Sequence, residues 1–393
     1  MEQDSTAGQD VTADQGAPAA RVGRRRTAVR IGVPVAVAAV VAAGIGLVPA
    51  LADDETPNLP AISAQDLVAK ALSTDTDTFS GTVRVTADLG LPTAITDAVS
   101  GSGPLGGIVQ SAGGATGSAD PQRKAVELLG GSHTLTVAAD GPDRQRLTLA
   151  SQQSGYEFVH NGDQVWAYDR ASQQALHLTG DGRGHGPDGK GGIAAATPQE
   201  VARQLLEHAS ATTSVTVDGT ERVAGRAAYK LSVKPKQAGS TIAEIRVSVD
   251  AEKGLPLAVQ VRTVDGAKAF DIRFGTLSLA KPDAKTFEFS VPKGAKVVEG
   301  GAKDLAEPAT PTLPGLPDLN GADAKVIGEG WTAIVQGGGG ADAAGGLGKF
   351  AGKSVKGGTL ISTHVVNALI TTDGRFFAGA VTPETLQAAA GLK

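Results

Sequence analysis

The sequence predicts an α+β fold: an antiparallel sheet of about eight to eleven strands, one face apolar, with a few amphipathic helices laid over that face. Three observations point there. Apolar residues recur with a period of two in many short segments. Tight turn signals join those segments, which forces neighbours to run antiparallel. Well-marked helix starts are few, while glycine is frequent (53 of 393 residues) and aromatic residues make up only 4%, a composition suited to strands and turns.

The first strand shows the pattern most clearly. Phe79, Gly81, Val83, Val85, Ala87 and Leu89 alternate with Ser80, Thr82, Arg84, Thr86 and Asp88. One face is apolar and the other wet. The alternation recurs at Leu135-Val137-Ala139, Leu147-Leu149, Tyr229-Leu231-Val233, Ile245-Val247-Val249, Leu257-Val259-Val261 and Phe270-Ile272-Phe274. Asn161-Gly162 reads as a type I′ hairpin between Tyr156–His160 and Gln164–Asp169. Asp140-Gly141-Pro142 and Ala251–Gly254 are turns of suitable length.

Ser63-Ala64-Gln65-Asp66 resembles a capping box ahead of Leu67, Val68, Ala71 and Leu72. Thr197-Pro198-Gln199-Glu200 combines an N-cap threonine, a proline in the first turn and a glutamate able to reach back. Asp120-Pro121 opens a short helix through Leu129, and Thr382-Pro383-Glu384 opens the last helix. In the C-terminal piece, Thr359–Val366 and Leu369–Val381 read as strands, with Asp373-Gly374 a turn near Thr371–Arg375. Ile327–Trp331 adds another across the glycine tract.

Outside the sheet, Ile31–Ala52 is an uncharged run of 22 residues preceded by Arg21, Arg24, Arg25, Arg26 and Arg30 and followed by Asp53, Asp54 and Glu55. As a helix it reaches about 33 Å, enough to cross a bilayer core. Arginine before and acid after places residues 1–30 in the cytoplasm and the rest outside it. Ala50-Leu51-Ala52 fits a small-x-small cleavage pattern, so the run is either a single-pass anchor or a signal peptide cut after Ala52. The expected location is the cell membrane with an extracytoplasmic C-terminal domain, or secretion after cleavage. The chain has no cysteine, which leaves neither an acylation site nor a disulfide. The layout is then a disordered leader at 1–30, the span at 31–52, a main domain at 53–300, a Pro/Gly linker at 301–325 and a small ββα extension at 326–393 with a Gly-rich insert.

Catalytic, metal and cofactor sites are not expected. His133, His160, His177, His185, His208 and His364 are scattered, and no pair has a ligand spacing such as H-x-x-x-H. Gly101-Ser102-Gly103-Pro104-Leu105-Gly106 matches a dinucleotide fingerprint but neither follows a strand nor opens a helix. Gly352-Lys353-Ser354 would end a phosphate loop, yet Leu347 stands where the first glycine belongs. No G-x-S-x-G elbow occurs. A net charge of −5 offers no footprint for nucleic acid.

Four segments then resemble, in order, the motifs of the LolA-like superfamily. They are Asn161-Gly162-Asp163-Gln164-Val165-Trp166-Ala167-Tyr168-Asp169, Val223-Ala224-Gly225-Arg226-Ala227-Ala228-Tyr229-Lys230-Leu231, Val249-Asp250-Ala251-Glu252-Lys253-Gly254-Leu255-Pro256-Leu257 and Phe287-Glu288-Phe289-Ser290-Val291-Pro292-Lys293-Gly294-Ala295. The resemblance covers about residues 60–300. It implies a curved antiparallel sheet, a half-open barrel closed by helices, whose apolar interior carries or senses acyl chains. The implied function is a cell-envelope carrier that binds a lipid or the acyl chain of a lipoprotein. An RseB-like sensor that regulates a membrane-bound anti-sigma factor is the alternative. The expected lining of the cavity is Val83, Val85, Leu135, Val137, Phe158, Trp166, Val247, Val259, Phe270 and Phe274. The Gly-rich segment at 90–119, the membrane span and everything after 300 fall outside the family pattern.

Overall fold

A computed structural model describes residues 56–92, 130–149, 155–179, 212–301, 325–338 and 352–392, together with Ala119, Pro121, Lys124 and Leu128. The span at 31–52, the glycine-rich segment at 93–118 and the helix expected from Thr197 lie outside the described residues. No helix among the described residues is long and apolar enough to cross a membrane.

Twelve strands form the main sheet. In chain order they are β1 (Thr78–Ala87), β2 (Gly131–Asp140), β3 (Arg144–Leu149), β4 (Tyr156–Asn161), β5 (Gln164–Asp169), β6 (Gln174–Thr179), β7 (Thr213–Val223), β8 (Arg226–Pro235), β9 (Ile242–Asp250), β10 (Pro256–Thr263), β11 (Lys268–Ser278) and β12 (Lys296–Gly301). Their order across the sheet is β12-β6-β5-β4-β3-β2-β1-β11-β10-β9-β8-β7. Two runs of sequential neighbours, β1–β6 and β7–β11, therefore meet at the β1–β11 seam. Every pairing is antiparallel except β12 on β6, which is parallel. The described strands leave two free ends, so the sheet is open, as a half-open barrel requires.

The strands of this sheet not named from the sequence are β6, β7 and β12, and β12 carries no signal of its own. Val297 and Val298 are adjacent, and the flanking Lys296, Glu299 and Gly300 carry no alternation. After β11 the chain leaves the seam and crosses the sheet to its far edge. A 3-10 turn at Ala284–Phe287 lies over β3 and β4 on the way. Phe287 is fully buried, and Phe289 meets Trp166 and Tyr168 at centroid distances of 5.1 and 6.3 Å. The last of the four motif segments, at 287–295, is thus a strap across the sheet.

The hairpins follow their turn residues. At β4–β5 the pair Asn161↔Gln164 leaves Gly162-Asp163 as the two central residues. Gly162 has φ of 64°, and Asp163 is not left-handed, the pattern of a type II′ turn rather than the expected type I′. The type I′ pattern sits at β7–β8, where Ala224 and Gly225 have φ of 51° and 78° between the pair Val223↔Arg226.

The expected first helix is α1 (Ala64–Leu72). The Ser63 side chain accepts from the Asp66 amide at 3.0 Å, and Leu67 and Ala71 are its buried residues. Pro121 and Lys124 are helical, as expected for the segment after Asp120. The C-terminal piece is larger than ββα. It is a six-stranded sheet of β13 (Lys325–Ile327), β14 (Ile334–Gly338), β15 (Lys353–Val355), β16 (Gly358–Ser362), β17 (Asn367–Thr371) and β18 (Arg375–Gly379), ordered β13-β14-β18-β17-β16-β15. The helix α2 (Pro383–Ala389), capped by Thr382, packs on β17 and β18. Ile334, Leu360, Leu369, Phe377, Val381 and Leu386 form a core of its own.

This second sheet is fixed to the first at the β8–β9 connection and the β10–β11 turn. Ser240 bridges Val381, the Thr241 amide donates to Ala380 O at 3.0 Å, and Trp331 Nε1 donates to Thr213 Oγ1 at 2.8 Å. His364 Nδ1 lies 2.5 Å from Asp265 Oδ2. The Thr263 hydroxyl, the His364 ring and the Ala267 amide together hold the Asp265 carboxyl down to about 2. A depressed carboxylate pKa adds stability above the unfolded value, and that contribution is lost as pH falls from about 4 toward 2. The Asp265 side chain is 48% exposed, so solvent screening keeps the effect small. Asp265→Asn is expected to flatten the acid limb of the stability curve between about pH 4 and 2. Urea unfolding across that range checks it, and an unchanged limb would contradict the assignment.

Candidate functional site

Strand register fixes which residues share a face. Val85 pairs with Ile272, Ile272 with Val259, Val259 with Val247, and Val247 with Leu231. In the other direction Val83 pairs with Leu135 and Leu135 with Leu149. One row over, Val137 pairs with Leu147, Leu147 with Phe158, Phe158 with Ala167, and Ala167 with Leu176. The result is one apolar face running from β8 across the seam to β6.

Nine of the ten expected lining residues lie on this face: Val83, Val85, Leu135, Val137, Phe158, Val247, Val259, Phe270 and Phe274. Trp166 does not. It pairs with Val159, the neighbour of Phe158, so it projects from the opposite face. There it stacks on His177 at 3.8 Å and meets Phe289 of the strap. Alternation within β4 and β5 separately gives no relative phase; the turn supplies it, and the Gly162-Asp163 turn puts Phe158 with Ala167.

The face is not uniformly covered. Beneath α1, Leu67 and Ala71 pack on Tyr229, Leu231, Val247, Val249 and Val259. Around the seam a second cluster joins Phe79, Val83, Leu135, Val137, Ile272 and Phe274. At its border Phe158, Phe270, Leu149 and Leu277 are only half-buried. These half-buried groups are the accessible part of the face.

The cover at α1 is held by residues of the motif segments themselves. Tyr229 Oη donates to Pro60 O at 2.8 Å, and Lys70 Nζ donates to Ala251 O at 2.5 Å. Gly254 has φ of 74°, and a Cβ there would stand 2.5 Å from Lys70 O, against helix backbone. Glycine therefore lets the β9–β10 turn approach α1. Gly254→Ala is expected to cost about 1–3 kcal/mol, from left-handed strain plus the displaced helix. Thermal unfolding checks it; Gly225→Ala, with nothing within 4 Å of its Cβ, isolates the strain alone.

Two motif segments also meet through charge. Arg226 donates to Asp250 through Nε at 2.5 Å and Nη2 at 3.0 Å. Asp250 is 1% exposed, and its Oδ1 also accepts from the amides of Glu252 and Lys253 at 3.0 and 2.6 Å. Its hydrogen bond raises the pKa of Arg226 above the ordinary arginine value. The carboxylate thus shapes the 251–254 turn against which α1 rests. The composition pattern did not single out this pair.

On the opposite face of β7–β11 the side chains are polar. Burial opposes the charge of Glu244, yet the Ser232 hydroxyl, Arg246 and Lys234 bring its pKa below the usual range. Among the described residues no cluster of His, Asp or Glu has the geometry of a metal site.

No family model matches the sequence, and no curated protein does. Several solved structures match at low identity and low TM-score. A chain of the MucA/MucB complex of Pseudomonas aeruginosa matches with 16% identity and a TM-score of 0.39, covering 83% of this chain and 96% of that one. An uncharacterised conserved protein of Thermus thermophilus matches with 12% identity and a TM-score of 0.32, covering 60% of this chain and 99% of that one. A LolA superfamily protein of Nitrosomonas europaea matches with 12% identity and a TM-score of 0.22, covering 58% and 99%.

Proposed function

We propose that the main sheet binds an acyl chain, of a lipid or of an acylated lipoprotein, along its apolar face, and carries it at the outer side of the cell membrane. The observation that carries this reading is the register. Nine of the residues expected to line it, from β1, β2, β4, β9, β10 and β11, share one apolar face, where seven are buried and Phe158 and Phe270 are half-buried. The four ordered sequence motifs support the same reading, and two of them build the turn that seats α1.

The energetics suit such a ligand. Each buried CH₂ contributes about 0.8 kcal/mol, so a 16-carbon chain brings on the order of 12 kcal/mol before entropy costs. A face of that kind needs cover when empty and access when loading. A nine-residue helix is marginal by itself and depends on its docking contacts, which makes α1 the movable part. The run at 31–52 is the proposed tether, or the signal removed before the domain diffuses. Tethered, the domain hands its cargo over close to the membrane.

The test is chemical. The exported domain, purified without detergent from cells, is extracted with organic solvent and the extract analysed by mass spectrometry. The reading expects stoichiometric acyl lipid or lipopeptide and transfer between liposomes. Consistently empty protein with no transfer contradicts it, and a stable membrane-regulator complex without lipid would favour a sensor instead.

A further inference from the structure

The polar face of β7–β11 carries a second site that the acyl-chain reading does not use. In the sheet order β7 lies four places from β11. At about 4.8 Å per strand a flat sheet would hold them about 19 Å apart. They are instead in contact. The strand bends at a bulge between Val217 and Thr220, around Asp218-Gly219. Beyond it Glu221 accepts a hydrogen bond from Ser248, two strands away. On this face lies an open pocket of about 140 Å³ lined by Glu221, Lys230, Arg246, Ser248, Ala258, Gln260 and Arg273.

Each of the five strands supplies part of this lining, and by register it belongs to the face opposite Val247 and Val259. Ala258 supplies the room, since Ser248 pairs with it and Arg273 flanks it. The charges are unevenly engaged. Gln260 and Arg273 share Asp271, with Arg273 using only Nε at 3.0 Å. Arg246 uses Nη2 toward Asp218 and Glu244, while its buried Nε has no hydrogen-bond partner. Glu221 is the single carboxylate in the lining, and it is engaged by Ser248.

We propose that this pocket binds a phosphate group, with Lys230, Arg246 and Arg273 as its cations and Glu221 accepting from a phosphate hydroxyl. Phosphate presents several acceptor oxygens around one centre, which matches cations arriving from β8, β9 and β11. The group belongs either to a lipid headgroup or to free phosphate. The site stands independently of the apolar face, from which the sheet itself separates it.

The full chain is titrated with inorganic phosphate and, separately, with glycerol 3-phosphate, at fixed ionic strength in chloride, by calorimetry. Saturable binding of either is expected, weakened at least tenfold by Lys230→Gln and by Arg273→Gln. Tighter glycerol 3-phosphate binding assigns the site to headgroups, and tighter inorganic phosphate binding assigns it to the free ion. Circular dichroism of both variants shows whether they remain folded, and Lys234→Gln, on the same strand outside the lining, is the control. No saturable binding of either compound, or equal binding by the folded variants, overturns the proposal.

Discussion

Asp250→Ala is expected to lower the free energy of unfolding by about 3–5 kcal/mol, the range for breaking one side of a buried ion pair. The substitution removes four acceptor contacts together: two from Arg226 and two from the turn amides of Glu252 and Lys253. It also leaves the guanidinium of Arg226 without its main partner. Urea denaturation followed by circular dichroism measures the loss. Arg226→Leu alone should cost a comparable amount, and the double variant Arg226→Leu/Asp250→Leu less than the sum of the two. Additive costs would mean that the pair is not coupled. Because Asp250 shapes the turn that seats α1, the same variant should also expose the amides of residues 64–72 to hydrogen exchange.

Leu67→Ala is expected to cost about 2–4 kcal/mol, the range for truncating a fully buried leucine. Leu67 is 0% exposed and is the main apolar contact of a helix only nine residues long. Ala71, the other buried residue of α1, is small, so the apolar hold that remains is weaker, and the Lys70–Ala251 hydrogen bond carries more of it. The consequence is both local and functional. Hydrogen exchange should rise first in α1, before the strands respond. Exchange of a bound acyl chain should quicken, because the helix covers the β8–β10 part of the apolar face. Leu72→Ala, on the exposed side at 45%, is the control and should change stability by less than about 0.5 kcal/mol. Equal effects at the two positions would remove α1 as the cover.

Much of the sheet was legible in the chain because alternation and turn residues state it directly. β1, β2, β9, β10 and β11 each carry an apolar face with period two, and the hairpin turns at 140–142, 161–163 and 251–254 are marked by glycine or asparagine. The helix caps at Ser63 and Thr382 were equally explicit, since capping is a local interaction. What was not legible depends on contacts distant in sequence. β12 pairs in parallel with a strand about 120 residues earlier, and nothing in Lys296–Gly301 announces that partner. The strands β13 and β15 are three residues long, below the length at which alternation registers. Trp166 shows the same limit within the site. Its apolar bulk invited placement in the cavity, whereas the turn before β5 sets its phase and the strap at Phe289 gives it a partner on the other face. The Arg226–Asp250 pair was contained in the motif segments, but only folding shows that one segment's arginine meets the other's carboxylate.

The two faces can be told apart by light. The chain has two tryptophans, Trp166 and Trp331. With Trp331→Phe, Trp166 reports the strapped face; with Trp166→Phe, Trp331→Phe and Phe270→Trp, emission reports the half-buried part of the apolar face. Each protein is titrated with a fatty acid brominated along its chain, which quenches indole only at contact distance. Acyl binding along the apolar face predicts saturable quenching of the reporter at position 270 and unchanged emission from Trp166. No quenching at position 270, or equal quenching at both positions, would contradict an acyl chain bound on that face.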